Sequence, residues 1–201
     1  MPPKGRIAIY DSSWYRKVLI DRFDKKTKKK EVADAYRSIC SFEEQLTDDG
    51  MVIIKIFLAI DKKEQKKRFE KLLSSKETSW RVSEGDLKRN KEFDEYEAIN
   101  EEMLMRTDTE HAPWNIVEAV DRRFATAKIY AIVAQTLAGK VEEVRRKERL
   151  GQFKEEESTE PEKETVQDKK LTESILAKAD LSLSYSKEEY RKRLEQLHHQ
   201  H

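Results

Sequence analysis

An aspartate near the start of the chain ends a short apolar run and is followed by hydroxyl and aromatic side chains. The run is Arg6–Tyr10, and Asp11 is followed by the sequence Ser-Ser-Trp-Tyr. In phosphate-handling α/β enzymes, a carboxylate at the carboxyl end of a buried strand holds magnesium against a phosphate chain. Asp11 is therefore a candidate catalytic and metal-binding residue. The alternative is that its carboxylate only caps the turn that follows.

A second candidate group lies on the helix predicted after a strongly apolar run. Lys62, Gln65 and Arg68 are spaced at i, i+3 and i+6, so they share one broad face of that helix. Because the helix follows a strand, this face lies near the carboxyl edge of the sheet, where an α/β fold binds anions. Phosphate binding is favoured over the alternative of a solvated polar face.

Three further residues have both a functional and an ordinary interpretation. Lys55 interrupts the apolar run, and a buried lysine is costly unless its charge is paired. It therefore reaches solvent, pairs with a carboxylate, or faces a phosphate cleft. Asp121 and Arg122 open the last long helix of this region. Arg122 could reach nucleotide phosphates, and Asp121 either assists it or is an ordinary N-cap.

The elements that must position these residues follow from the hydrophobic pattern. The predicted strands are Arg6–Tyr10, Met51–Ile60 and Trp114–Val117. Their continuous apolar runs indicate burial on both faces, as in a parallel sheet covered by helices, so the predicted fold class is α/β. The predicted helices are Glu31–Leu46, Lys62–Leu73, Asp86–Met105 and Arg122 to about residue 137.

Composition divides the chain into three parts. Residues 1–150 form the α/β part, and residues 151–170 are predicted to be an acidic linker with almost no large apolar residues. Residues 171–201 resume an amphipathic pattern, in which Ser186 and Glu189 have the spacing of a capping box.

Charge and cysteine content limit the function classes. Lys and Arg number 41 and Asp and Glu number 40, so the net charge gives no reason to expect nucleic-acid binding. The single cysteine, Cys40, is expected to be a reduced and packed thiol. No apolar run approaches the roughly 18 residues that span a bilayer, and the first residues lack the pattern of a signal peptide. We therefore expect a cytoplasmic protein without a membrane partner.

A series of short motifs runs along residues 2–140. In chain order they are Pro2-Pro3-Lys4-Gly5, Asp11–Tyr15, Val18-Leu19, Phe42-Glu43 through Gly50, Ile60–Gln65 with Arg68, Trp80, Asp86, Tyr96, Met103-Leu104 and Ala112-Pro113-Trp114. This ordered series resembles the polyphosphate kinase 2 family. The resemblance implies a three-layer α/β/α fold of the P-loop kinase type, with a mobile helical lid. It also implies transfer of a phosphoryl group between polyphosphate and AMP or ADP, with magnesium.

The resemblance assigns expected roles to the candidate residues. Asp11 would hold magnesium on a phosphate chain. Arg22 and the lysine-rich stretch at residues 24–30 lie where the family carries its lid, although a run of lysines is also typical of a solvated turn. The nucleotide would contact Asp121 and Arg122. The residues expected to bind polyphosphate are Arg22, Lys55, Lys62, Gln65 and Arg68.

Two departures from the family limit the expected activity. Ser12 stands where the family usually carries an arginine, and serine cannot supply a bidentate phosphate clamp. The family's glycine-rich loop, with its lysine, is not found in this sequence. We therefore expect an incomplete sheet and negligible phosphotransferase activity from this chain alone.

The tail leaves more than one function open. Residues 180–194 resemble the start of another domain of this family, as in the two-domain polyphosphate:AMP phosphotransferases. The chain would then be part of the first domain of such an enzyme, partnered by a second domain or by another copy of itself. The alternative function is a non-catalytic module for polyphosphate docking or assembly. An unrelated nucleotide kinase is a third interpretation.

Overall fold

Two parallel strands, with helices packed around them, carry the candidate residues. The computed structural model describes residues 2–3, 5–151 and 174–198. Its strands are β1 (Lys55–Ala59) and β2 (Trp114–Glu118). Its helices are α1 (Ile20–Phe23), α2 (Lys29–Asp48), α3 (Lys62–Leu73), α4 (Glu84–Lys91), α5 (Phe93–Thr107), α6 (Arg122–Gly151) and α7 (Lys187–His198).

The sheet confirms the predicted parallel pairing. β1 and β2 run parallel in a register that places Lys55 opposite Trp114 and Ala59 opposite Glu118. The strand predicted at Met51–Ile60 is shorter than its apolar run, because only residues 55–59 have a partner strand. The backbone hydrogen bonds of a strand require a neighbouring strand, so the pairing rather than the length of the hydrophobic run sets the strand's length.

The strand predicted at Arg6–Tyr10 is wrong. Residues 6–10 have no strand partner in the described part of the chain, and the side chains of Ile7 and Ile9 are 80% and 95% exposed. Apolar and β-branched residues favour a strand only where a sheet edge and a packed face receive them. In the structure neither is available to this segment.

The helix predicted over Asp86–Met105 is divided into two. The chain leaves helical geometry at Glu92, where φ is −100° and ψ is 41°. Ser83 and Asp86 form a capping box that begins α4 earlier than predicted. The break turns α5 so that Met103 and Leu104 reach the main core, where each is 1% exposed.

The largest buried cluster joins the Asp11 segment to α2 and α5. It contains Tyr15, Val18, Val32, Ala35, Tyr36, Ile39, Met103 and Leu104. A smaller cluster around Val117 lies between the sheet and α6.

The tail packs back onto this body. Ile175 and Leu176 pack against the larger cluster, and α7 packs against α6. The predicted capping box is confirmed, because Glu189 N donates to Ser186 Oγ and Ser186 N donates to Glu189 Oε2. The acidic linker predicted at residues 151–170 lies outside the described residues except for its first residue. Among the helices that the structure describes, none combines the length and apolarity needed to cross a membrane.

Candidate functional site

The Asp11 loop, residues 11–15, presents an exposed carboxylate on an unusual backbone. Asp11 is exposed, and its Oδ1 accepts a hydrogen bond of 3.2 Å from Ser12 Oγ. Ser12 and Ser13 both have positive φ, 60° and 43°. Residues other than glycine rarely adopt this region, and they keep it only where the surrounding structure holds the backbone.

The next two residues, Trp14 and Tyr15, anchor this backbone to the core. Trp14 Nε1 and Tyr15 Oη lie 3.0 Å and 2.7 Å from the same oxygen, Oε1 of Glu43, and both donate to it. Burial raises the pKa of Tyr15 above its ordinary range, so its hydroxyl keeps the proton that it donates. Trp14 and Tyr15 therefore support the loop.

Glu43 is held in turn by Lys55. Lys55 Nζ lies 2.9 Å from Glu43 Oε2, and the two side chains are 4% and 0% exposed. The same ammonium donates to Thr107 O at 2.5 Å and to Tyr15 Oη at 3.2 Å. All three protons of Lys55 are thus used inside the core. Of the three environments considered for Lys55, the structure has the pair with a carboxylate. The predicted phosphate-binding role is therefore corrected: Lys55 is a buried partner of Glu43 and does not face a phosphate cleft.

Trp114 and Thr107 complete this buried network. The Trp114 ring centroid lies 5.1 Å from Lys55 Nζ, a cation–π distance. Its indole Nε1 donates to Thr107 Oγ1 at 2.9 Å. The network therefore ties the Asp11 loop to α2, to the start of both strands and to the end of α5.

A second group of candidate residues gathers where the strands end. α3 begins just after β1, and α6 begins just after β2, so both helices start at the carboxyl edge of the sheet. Arg68 Nη2 joins α3 to the loop between β2 and α6, because it donates to the carbonyl oxygens of Ala119 and Val120 at 2.6 Å and 3.1 Å. We call these residues the carboxyl-edge cluster: Lys62, Gln65, Arg68, Asp121 and Arg122.

Most members of this cluster already have protein partners. Gln65 Oε1 accepts from Asn90 Nδ2 at 2.9 Å, and Lys62 Nζ donates weakly to a carbonyl of α4 at 3.4 Å. Asp121 Oδ1 accepts from Phe124 N at 2.7 Å, so Asp121 is the N-cap of α6. Arg122, by contrast, is exposed at the first position of that helix. Arg68 thus connects α3 to the loop just before Asp121, and Arg122 and Lys62 are the exposed cations of the cluster.

Arg22 lies in a different place, in a groove between α2, α5 and the lysine-rich turn. Its Nη2 is 2.6 Å from Glu102 Oε2, and its Nη1 is 3.0 Å from Tyr36 Oη. Lys25, Lys28 and Lys29 line the same groove. Arg22 and part of the lysine run thus form one basic groove, apart from the carboxyl-edge cluster.

The described residues fit magnesium only in the company of a phosphate ligand. They contain no group of three or more His, Cys, Asp or Glu side chains placed to hold a metal ion. Asp11 supplies a single exposed carboxylate. Magnesium commonly keeps several waters and takes one or two carboxylates together with substrate phosphates, which matches this donor set.

Glu43 is the functional candidate that the sequence-based prediction does not include. It lies four residues after Ile39 on the apolar stripe of α2, and Lys55 interrupts an apolar strand. Two opposite charges on two apolar patterns are the signal that could have identified it, because buried charges are found in pairs.

A family model and several known proteins match a large part of this chain. The family model described as "Polyphosphate kinase 2 (PPK2)" matches residues 1–147. The polyphosphate:AMP phosphotransferase of Pseudomonas syringae pv. tomato is 35% identical over 137 residues, which are 68% of this chain and 28% of that protein. The AMP/ADP-polyphosphate phosphotransferase of Meiothermus ruber is 33% identical over 139 residues, which are 69% of this chain and 52% of that protein.

A solved structure has the same fold. The crystal structure of polyphosphate kinase 2 from Arthrobacter aurescens TC1 matches with a TM-score of 0.65 and 33% identity, over 69% of this chain and 49% of that one. The chain therefore spans between about a quarter and a half of the length of these relatives.

Proposed function

The chain belongs to the polyphosphate kinase 2 family, and from this premise we propose that it takes part in phosphoryl transfer between polyphosphate and a nucleotide. The observation that carries the proposal is the Asp11 loop, an exposed carboxylate whose two neighbouring aromatic residues are anchored in the core. Phosphoryl transfer needs positioning and charge stabilisation more than covalent chemistry, and a carboxylate on a loop that is anchored three and four residues later meets the first of these needs.

The proposed roles follow the geometry. Asp11 holds a magnesium ion that arrives on the phosphate chain, and magnesium neutralises the charge that develops on the transferred group. Arg122 and Lys62 lie at the carboxyl edge, where nucleotide or polyphosphate oxygens bind in α/β folds. Arg68, Gln65 and Asp121 hold the ends of the two strands and their helices in register. The names of the relatives support AMP or ADP as the nucleotide.

An activity assay with the full chain tests the catalytic proposal against the expectation, drawn above from the two departures from the family, that this chain alone has negligible activity. Polyphosphate, magnesium and AMP, ADP or GDP are supplied, and the nucleotide products are quantified. Asp11→Asn is expected to lower the rate by about 100-fold or more, the loss typical of a group that stabilises transferring charge. Asp48→Asn, which changes another exposed carboxylate at the end of α2, is the matched control. Absence of product with the unmodified chain, or equal rates for both variants, would refute a catalytic role for these residues.

The alternative proposal is a non-catalytic module that docks polyphosphate. Ser12 favours it, because its hydroxyl bonds to Asp11 and cannot clamp a phosphate from two sides. The basic groove would then be the docking surface, because the positive charges of Lys25, Lys28 and Lys29 would attract a polyanion. The proposed partner is a second domain of the same type, to which the segment at residues 171–201 would belong.

Polyphosphate affinity measured at several salt concentrations tests docking. The triple variant Lys25→Ala, Lys28→Ala, Lys29→Ala is expected to bind more weakly and to show a smaller dependence on salt, because screening acts on exposed charges. The matched control removes three exposed lysines from α3, namely Lys66, Lys67 and Lys71. Equal losses in both triple variants would mean that only net charge matters and that the groove is not a docking site.

A further inference from the structure

The buried ion pair between Glu43 and Lys55 lies beneath the Asp11 loop. Neither charge reaches solvent, since the side chains are 0% and 4% exposed. Replacing a buried ion pair by well-packed apolar residues is often neutral or stabilising. Stability alone therefore gives a poor reason for two charges at this place in the core.

The pair does something that apolar residues could not do, because it directs hydrogen bonds. Both oxygens of Glu43 are used: Oε1 receives Trp14 and Tyr15, and Oε2 receives Lys55. Lys55 also reaches Thr107 O, so the carboxylate is held in position from the side opposite the loop. A fully satisfied buried network of this kind specifies one arrangement.

The loop needs such a constraint. Ser12 and Ser13 have positive φ, and Ser13 Oγ is buried without a hydrogen-bond partner among the described residues. These are features of a backbone that its surroundings hold in place. The two anchored residues, Trp14 and Tyr15, come directly after the serine pair, and Asp11 comes directly before it. The position of the carboxylate therefore depends on the anchor.

We propose that Glu43 and Lys55 are positioning residues for Asp11 in the phosphoryl-transfer site. The inference rests on the proposed function, because it assigns the two residues to that reaction. Glu43 acts through the Trp14 indole and the Tyr15 hydroxyl, which donate to it, and Lys55 acts through Glu43 and through the Tyr15 hydroxyl, to which it also donates. Neither residue touches substrate.

Two double variants separate positioning from stability. Glu43→Gln with Lys55→Met removes both charges but keeps an amide oxygen that can accept from Trp14 and Tyr15. Glu43→Leu with Lys55→Met removes both charges and the acceptor. Neither variant leaves a buried charge without its partner, which is the costly outcome of a single substitution.

The first measurement needs no activity. Hydrogen exchange of the Trp14 indole N–H is followed by NMR in the full chain, and thermal unfolding is recorded for both variants. The Leu/Met variant is expected to exchange this proton at least tenfold faster than the Gln/Met variant, in proportion to the lost acceptor. Equal exchange in the two variants would overturn the anchoring role.

The second measurement is the rate of nucleotide formation. The Leu/Met variant is expected to lose about 10–100-fold in kcat with little change in KM. Losses of this size are typical when a residue that hydrogen-bonds to a metal ligand and fixes its orientation is removed. The Gln/Met variant is expected to lose at least several-fold less kcat than the Leu/Met variant, because it keeps the acceptor for Trp14 and Tyr15 and lacks only the hydrogen bonds of Lys55. A loss of kcat that only parallels the drop in unfolding temperature, or an equal kcat in both variants, would overturn the positioning role of Glu43 and Lys55. A chain that forms no product refutes the proposed function, and the positioning of the loop is then decided by the exchange measurement.

Discussion

Replacing Glu101 by alanine should release the tail from the body of the protein. Glu101 is a buried residue of α5, and its carboxylate accepts three hydrogen bonds from the start of the tail. Ile175 N lies 2.9 Å from Oε2 and Leu176 N lies 2.7 Å from Oε1, and Ser174 Oγ is the third donor. One side chain therefore holds the short helical turn at Leu176–Lys178 against the core.

The expected size of the effect follows from these contacts. A hydrogen bond to a charged group contributes about 1.5–3 kcal/mol. The three bonds share one carboxylate and are not additive, so we expect the local opening of the tail to become easier by about 3 kcal/mol. Because about 1.4 kcal/mol corresponds to a factor of ten, the protection of the tail amides should fall roughly 100-fold.

Hydrogen–deuterium exchange read by mass spectrometry measures this protection. Peptides that cover residues 174–182 should exchange faster in Glu101→Ala, while peptides from α2 keep their rates. Glu97→Ala, one turn earlier on α5 and exposed, is the matched control. Tail exchange that is equal in the two variants would show that Glu101 does not hold the tail. Faster exchange everywhere would show that the residue supports the whole domain instead.

Three further substitutions test the packing and the electrostatics. Leu104→Ala should lower the free energy of unfolding by about 2–5 kcal/mol in urea titrations, whereas Leu87→Ala, which is 44% exposed, should change it by about 0.5 kcal/mol or less. Thr107→Val should cost about 1–3 kcal/mol in the same assay, because its buried hydroxyl bonds to Met103 O and to an indole N–H. Although burial acts in the opposite direction, hydrogen bonds from Ser83 and the charge of Arg89 hold the pKa of Asp86 below its usual value. The carboxylate therefore stabilises the fold above the ordinary pKa of aspartate and loses this effect as the pH falls through its lowered pKa. The lower unfolding temperature of Asp86→Asn should accordingly converge on that of the unmodified chain in acid below the ordinary pKa of aspartate.

The sequence by itself determined the features that depend on neighbours along the chain. α3 begins and ends at the predicted residues, and α2 extends only two residues beyond its prediction at each end. The Ser186–Glu189 capping box and the parallel direction of the strands at Met51–Ile60 and Trp114–Val117 were also predictable. Helical periodicity, caps and continuous apolar runs are local patterns, so they can be read without knowing what packs where.

Only the tertiary structure decided which segments meet. Residues 6–10 carry the pattern of a strand but have no partner strand, so they remain exposed. Lys55 looks like a phosphate ligand until Glu43 is found 2.9 Å away on another element. A hydrogen bond between strands or a buried ion pair depends on a second segment distant in sequence, and a single local pattern does not specify that segment. The sequence therefore identified the Asp11 loop, and the fold decided which buried charges hold it in place.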